Sequence, residues 1–325
     1  MLRFKKKTNI SIELTDYILR ALVKRGAQPT QWAIYEFPLA PGIVQDSVII
    51  DEIALFQIFK NNLTKLGGKN QAVRMFVPDV SVMLKSFDYP ENLQDNGIRE
   101  YVQMELGRSI HLPFRDPLLD VYDPVPGDGQ ATLFAAPSEE IQKLIGLLLD
   151  VHLVPEAVDV RALCNLRLLQ QLRLIDEEKT YMITNWSINE VSICIYSYGK
   201  IEFLRYQSIE TDLKLWQPPT SLHHAGEFIY QGNEEEYIGL VVDRILELGR
   251  IANFFKFSLH KGEKEVDEMI MLGDNPLLGK IHELLTEQLP TPVVVVEDHM
   301  IMSKYPSFKV RHASLIGLAL KEVAP

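Results

Sequence analysis

The sequence predicts an α/β protein of two mixed-sheet domains that share one topology. Three observations carry that reading. The stretch 266–297 reads as strand, tight loop, helix, strand. An order of three short strands, a helix and a further strand occurs twice along the chain, with little similarity between the copies. The chain has 325 residues, 46% hydrophobic and 24% charged, enough for two hydrophobic cores.

Within 266–297, Met269, Ile270, Met271 and Leu272 form the apolar run of a strand buried on both faces. Gly273-Asp274-Asn275-Pro276 breaks it, and Pro276 suits a first helical turn, where its missing N–H costs nothing. Leu277, Leu278, Ile281, Leu284 and Leu285 give the helix one apolar face. Pro290 and Pro292 end it, and Val293 to Val296 is a second buried strand. Such a unit pairs its strands in parallel through a right-handed crossover. The loop 273–275 is where ligands of such folds often sit.

From the start of the chain, strands are expected at 8–15, 17–25 and 31–37, with a turn at Gly26-Ala27-Gln28-Pro29. A helix follows at 51–66, with Ile53, Phe56, Phe59 and Leu63 on its apolar face and Gly67 as its stop. Strand 72–77 ends at Pro78. Residues 80–155 read as an insertion: strand 81–87, helix 97–109, strands 118–122 and 131–135, then helix 139–151 with Ser138 as N-cap. Residues 157–160 lead into a leucine-rich helix at 162–173, and 175–179 form a polar linker. The second copy has strands at 180–185, 191–196 and 201–206, a looser segment with Pro218, Pro219 and Gly226, and a long helix at 235–257. A last helix is expected at 312–321.

A net charge of −11 disfavours a nucleic-acid partner. The two cysteines, Cys164 and Cys194, lie in apolar segments and read as buried thiols, which excludes a disulfide framework. No apolar run approaches the roughly 18 residues that span a bilayer. The basic start MLRFKKK is followed by polar residues, unlike a secretory signal. A soluble, cytoplasmic protein without an integral membrane segment is expected.

Several short pieces, by their order and spacing together, resemble the actin-like superfamily and within it the PilM family of pilus-assembly proteins, relatives of the division protein FtsA. They are Gly42-Ile43-Val44-Gln45-Asp46, Leu112-Pro113-Phe114-Arg115-Asp116 with Leu119-Asp120, and Val154-Pro155-Glu156-Ala157-Val158-Asp159. Further on stand Arg250-Ile251-Ala252-Asn253-Phe254-Phe255, and Ala313 with Gly317-Leu318-Ala319-Leu320. The resemblance implies a duplicated actin-like (ribonuclease H-like) fold, two domains flanking a cleft. Subdomain 1A would comprise 1–79 and 156–178, an inserted 1C 80–155, and 2A 179–206 and 266–325. A reduced 2B region with the long helix would occupy 207–265.

Relatives that bind ATP and Mg²⁺ carry glycine-rich loops, and this chain departs from all three. The first phosphate loop, roughly Ile-Asp-Ile-Gly-Ser-Ser, becomes Ile10-Ser11-Ile12-Glu13-Leu14-Thr15. A carboxylate is lost to Ser11, and a glycine that lets backbone approach phosphate becomes Glu13. In the second, Thr184 replaces the aspartate and Trp186 the glycine; the adenosine loop keeps Gly273 but has Asp274 and Asn275 beyond it. Glu247 and Arg250 lie where relatives contact ribose and adenine, and read equally as a surface ion pair. Neither a nucleotide cofactor nor catalysis is therefore expected, and these are vestigial cleft positions. Trp186 is expected either to fill the phosphate space and bridge the halves or to lie on the outer surface of a hairpin.

The resemblance implies a scaffold that docks the short cytoplasmic N-terminal peptide of a membrane-anchored, PilN-like pilus protein in a groove between 1A and 1C. It would link the membrane platform to the motor and sit at the inner face of the cell membrane through its partner; a homo-oligomer is left open. Val82, Leu84, Tyr101, Met104 and Glu105 flank the start of the insertion and are the candidate groove residues. The alternatives are a working actin-like ATPase or small-molecule kinase, and a scaffold of another secretion or division complex.

Other candidate chemistry has plainer readings. Gly67-Gly68-Lys69-Asn70 lacks the first glycine and the Ser/Thr of a P-loop and reads as a helix stop and turn. His223, His224 and Glu227 lack a further zinc ligand at a defined spacing. Asp116, Asp120, Asp123 and Asp128 lack the alternation of a calcium loop. Arg3, Lys5, Lys6 and Lys7 have no apolar anchor for a membrane. No metal site is expected.

Overall fold

The computed structural model describes residues 9–90, 93, 95–218 and 227–322. Its first half opens on apolar, β-branched strands joined by short turns: β1 (Asn9–Leu14), β2 (Ile18–Lys24) and β3 (Trp32–Pro38). A small hairpin, β4 (Val44–Gln45) and β5 (Val48–Ile49), leads to α1 (Glu52–Asn62), whose N-cap Asp51 accepts the Ala54 N–H. Strand β6 (Ala72–Phe76) follows. Then come β7 (Met83–Asp88), α2 (Asp95–Glu105), β8 (Pro117–Tyr122), β9 (Gln130–Pro137), α3 (Glu139–Asp150), β10 (Val154–Asp159) and α4 (Arg161–Gln171).

The second half repeats the scheme. Strands β11 (Thr180–Trp186), β12 (Glu190–Ser197) and β13 (Lys200–Ser208) form a meander. A two-stranded ribbon, β14 (Trp216–Gln217) with β15 (Ile229–Tyr230), precedes α5 (Glu234–Asn253), which continues as a π-helical turn to Leu259. Then follow β16 (Glu268–Gly273), α6 (Leu278–Gln288), β17 (Val293–Val295), α7 (Asp298–Met302) and α8 (Ala313–Ala319). One sheet has the order β3-β2-β1-β6-β10 and the other β13-β12-β11-β16-β17. In both, the first three strands are antiparallel and the last two parallel to the first. The duplication expected from the sequence is therefore the architecture.

Each sheet has an outer and an inner face. Helices α1 and α3 cover the outer face of the first sheet through Leu55, Phe59, Leu144, Leu147 and Leu148. Helices α5 and α6 cover that of the second. Between the two inner faces lie α4 and α8, whose apolar residues share one core with Leu22 and Trp32 of the first sheet and Tyr181, Ile183 and Cys194 of the second. The two helices meet backbone to backbone at Gly317, where a Cβ would lie 1.9 Å from the Cys164 carbonyl oxygen. Arg167 Nη1 donates to the Gly317 oxygen at 2.7 Å and ties the crossing.

Several details differ from the sequence reading. On α1 the buried residues are Leu55 and Phe59, four apart and packed in the core of the first sheet, while Ile53 is exposed. The stretch 80–155 does not pack as one unit. Strands β7, β9 and β8 with α2 form their own sheet and small cores. Helix α3 instead joins the core of the first sheet, since Leu144, Leu147, Leu148 and Val151 recur at helical spacing. Ser138 is no side-chain cap; its hydroxyl donates to Asp116 Oδ2 at 3.2 Å. Among the described residues no helix is long and apolar enough to cross a membrane.

Two glycines separate a packing requirement from a propensity cost. Gly317→Ala should lower stability in urea denaturation by roughly 1–3 kcal/mol or more, because backbone cannot yield to the new methyl as a side chain can. Gly239, exposed on α5 with nothing within 4 Å of where an added methyl would sit, is the control. Gly239→Ala should be neutral or stabilise by up to about 1 kcal/mol.

Candidate functional site

The nucleotide-cleft positions are drawn together by strand register. Glu13 stands opposite Arg20, and Arg20 opposite Glu36, so three charged residues of β1, β2 and β3 line up on the inner face. The Arg20 side chain is 1% exposed. It donates to Glu13 Oε2 at 3.1 Å, Glu36 Oε1 at 3.0 Å and Asp274 Oδ2 at 2.6 Å. Asp274 comes from the second half, at the end of β16, and also accepts the Tyr17 hydroxyl at 2.7 Å. Arg161, at the start of α4, pairs with Glu13 Oε1 and with Asp79 at 2.7 Å, its guanidinium over the Phe76 ring. Arg311 and His312, just before α8, reach Glu36 at 3.2 and 3.3 Å. Beside this network Asp16 accepts the Asp46 and Ser47 N–H groups and the Asn189 amide, each at 2.9 Å. The halves are thus bridged by ions and hydrogen bonds at these positions.

Of the remaining expected cleft positions, Ser11 is fully buried, and its Oγ has no partner among the described residues. Thr15 closes the first hairpin on Ile18. Thr184 Oγ1 donates to the Ile270 oxygen at 3.4 Å and accepts the Trp186 indole N–H at 3.1 Å. Trp186 is fully buried and does not lie on an outer surface. It shares a face of β11 with Met182 and is buried in the core under α5 and α6, a cluster that Tyr17 and Ile18 of the first hairpin join. Its carbonyl accepts the Asp274 and Asn275 N–H groups at 2.9 and 3.1 Å. Gly273 is required for this approach: its φ is +134° and a Cβ would lie 2.0 Å from that oxygen. The Asn275 amide donates to the Ser187 oxygen at 2.8 Å and Tyr237 Oη at 2.6 Å. Glu247 and Arg250 form a surface ion pair at 3.1 Å.

Burial and pairing set the ionisation of this region. For Glu36, burial alone would raise the pKa; the hydrogen bond from His312 and the charges of Arg20 and Arg311 outweigh it and hold the carboxyl at about 2. His312 is kept neutral, chiefly by burial. Its Nδ1 accepts the Lys309 N–H at 3.0 Å, so Nε2 carries the proton facing Glu36. Burial raises Asp79 despite Arg161, and pushes Glu190, across the cleft, up to about 8. Burial and then Asp274 raise the Tyr17 phenol.

A second candidate site is a cavity of about 300 Å³ between the insertion and the first sheet. Val77, Val82, Leu118, Phe134, Val158 and Leu163 give it apolar walls, with Arg99 and Asp120 also lining it. Strand β10 forms one side and, among the described residues, is paired only with β6, so its outer edge faces the cavity. Of the expected groove residues, Val82 lines it. Leu84 packs on the central core, Tyr101 on the core of the insertion, and Met104 is exposed. Glu105 accepts the Ser109 hydroxyl at 2.6 Å. Val77, Val158 and Leu163 were missed because sequence reading places them in 1A strands and a helix, not beside the insertion.

The other candidates disperse. Asp116, Asp120, Asp123 and Asp128 bond separately to Ser138, Arg99, Tyr89 and Lys200. Gly67 and Gly68 are turn residues at positive φ. Among the described residues no group of three or more metal-ligating side chains forms. His223, His224, Arg3, Lys5, Lys6 and Lys7 lie outside the described residues.

The two shifted glutamates give opposite pH dependences. Glu36, with a folded pKa of about 2 against an ordinary 4.5, contributes stability that is complete above the unfolded value and lost as pH falls from there towards 2. Glu190, raised to about 8, keeps its proton in the folded state, so stability declines as pH rises from its ordinary 4.5 towards 8. Urea denaturation across that range should show Glu36→Gln most destabilising at neutral pH and least at acid pH. Glu190→Gln should gain stability over the parent as pH rises; a gain that does not grow with pH would contradict the assignment.

Comparison with known proteins gives this geometry a family. Residues 21–211, more than half of the chain, match the family model of the type IV pilus assembly protein PilM. None of the curated proteins compared with the chain matches it. Among solved structures it is similar to the PilM–PilN type IV pilus biogenesis complex, with 19% identity, 98% of this chain and 99% of that one covered, and a TM-score of 0.74. It is similar in fold to the ethanolamine utilization protein EutJ of Carboxydothermus hydrogenoformans, with 13% identity, coverage of 97% and 89% and a TM-score of 0.50. The same holds for the cytoplasmic domain of EpsL, an inner membrane component of the type II secretion system of Vibrio cholerae, with 10% identity, coverage of 98% and 96% and a TM-score of 0.50. The fold is actin-like, and the chain belongs to the PilM family of type IV pilus assembly proteins.

Proposed function

We propose that this chain is a scaffold of a type IV pilus assembly machine that docks the short cytoplasmic N-terminal peptide of a membrane-anchored, PilN-like protein. It is held at the inner face of the cell membrane through that partner and links platform to motor. The observation that carries the reading is the apolar cavity of about 300 Å³ beside the open edge of β10. An extended peptide can add main-chain hydrogen bonds to such an edge while its apolar side chains enter the cavity, the usual division between affinity and specificity in strand addition. The similarity to the PilM–PilN complex supports the choice of partner.

The scaffold reading also holds that the chain does not turn over ATP. A triphosphate needs free backbone N–H groups and a compensating cation. Here Glu13 would meet the phosphates with a buried negative charge, Arg20 is already shared among three carboxylates, and the Asp274 and Asn275 N–H groups are taken by the Trp186 carbonyl. The residues present do not fit the nucleotide of the family's ATP-binding members.

Two measurements test this. Calorimetry with ATP, with and without Mg²⁺, should show no binding in the micromolar range, and micromolar affinity would refute the claim that the cleft is closed to nucleotide. Titration with the synthetic N-terminal peptide of the PilN-like partner should give saturable binding. Leu118→Arg, which puts a charge on the cavity wall, should weaken it by about tenfold or more, a loss of about 1.4 kcal/mol or greater, with little change in melting temperature. Unchanged affinity in that variant would move the docking site elsewhere.

A further inference from the structure

On the flank of the second half, β13 and α5 border an open depression of about 570 Å³. Arg205 and Gln207 stand opposite Ile193 and Val191 in the strand register, and those two residues belong to the core beneath α5. Both therefore point to the helix side of the sheet. Helix α5 adds Asp243, Arg244, Glu247 and Arg250. Three arginines meet two carboxylates here, in a chain whose net charge is −11.

The pairing inside the depression is uneven. Glu247 takes both Arg205, at 3.3 Å, and Arg250, at 3.1 Å. Arg244 makes no ion pair or hydrogen bond among the described residues, and its Nε is buried. Gln207 is only 7% exposed, and among the described residues neither its amide nitrogen nor its amide oxygen has a partner. A buried amide is normally bonded at both ends, so this one is a donor and an acceptor left open. Leu246, Arg250, Phe254 and Phe257 recur at four, four and three residues along the outside of α5 and its π-helical turn, and Leu246, Phe254 and Phe257 are exposed. An apolar stripe thus runs past the cationic depression.

We propose that this flank is a docking surface for an acidic peptide segment of a partner protein, one that carries an apolar residue next to its carboxylates. The carboxylates pair with Arg244 and Arg250, whose planar guanidinium groups suit two-pronged recognition. The apolar residue covers Leu246 and Phe254. The Gln207 amide, buried at the floor of the depression, swings outward on docking to bond the peptide main chain, which supplies an N–H for its oxygen and a carbonyl for its nitrogen. A free anion offers nothing for the apolar stripe, which is why a peptide is favoured over phosphate.

The test uses the full chain and a short fluorescein-labelled peptide rich in aspartate and glutamate with one central phenylalanine, read by fluorescence anisotropy. A counterpart with lysine in place of each acidic residue is the control. The acidic peptide should bind, more weakly as salt rises, and the lysine peptide should not. Arg244→Glu should weaken binding by about tenfold or more. Gln207→Leu should also weaken it while raising the melting temperature, because it removes a buried amide that has no structural partner. Leu118→Arg, in the separate groove, should leave it unchanged. The proposal is overturned if Arg244→Glu leaves affinity intact while the protein stays folded, if the lysine peptide binds equally, or if inorganic phosphate displaces the acidic peptide at concentrations comparable to the peptide's own. Binding of phosphatidylserine vesicles without binding of the peptide would overturn it too.

Discussion

The arrangement of the two halves depends on Arg20. Its guanidinium is shut away from water and holds carboxylates from β1, from β3 and, through Asp274, from the other half. Taking one partner from such a buried set leaves uncompensated charge, typically a loss of roughly 3–5 kcal/mol. Apolar residues of the same volume could stabilise as well or better, so the network is weak evidence for stability alone. What it provides is position. Arg20 can satisfy Glu13, Glu36 and Asp274 together only when the β1–β3 meander and the end of β16 face each other in one register. Arg161 and Arg311 extend the same requirement to the starts of α4 and α8.

That requirement explains the altered loops. A glycine at position 13 would leave Arg20 and Arg161 without the carboxylate they share, and a glycine at 274 would remove the bridge between halves. Asn275 and Tyr237 secure the same loop from the other side. The contacts across the halves at this point are made by side chains of the chain itself. Cavities of about 390 and 720 Å³ remain between the halves beside this bridge, and the apolar cavity beside β10 and the cationic flank of β13 and α5 lie apart from it.

Below the ion network, the crossing of α4 and α8 sets the distance between the sheets. Because Gly317 lies against the Cys164 backbone, the helices approach more closely than side chains would allow. Apolar residues of both sheets then reach one common core. The inserted sheet has small clusters of its own and reaches this core through Phe134, which is buried in it, with Leu84, Tyr122 and the neighbouring Val82 half-buried against it. A cavity at that junction is what remains when a small sheet meets a strand edge it does not pair with.

The sequence by itself determined the element order and the duplication, and it carries the departures from the glycine-rich loop pattern on which the proposed scaffold reading rests. Those features rest on local rules: alternation in strands, helical spacing of leucines, prolines and glycines that stop an element, and the absence of glycine where phosphate would sit. Even the burial of Trp186 is within reach of such rules, since it shares one face of its strand with Met182 and Thr184 among apolar neighbours; its place at the hairpin masks that parity. Tertiary structure alone decided which charges meet. Glu13 finds Arg161 at a separation of 148 residues, and Arg20 finds Asp274 at 254. It also decided that α3 serves the first sheet and not the insertion, because an apolar helix face names no partner. Nor could the sequence show that Arg244 and Gln207 lack partners: a missing partner is a property of everything packed around a side chain, and no local pattern records it.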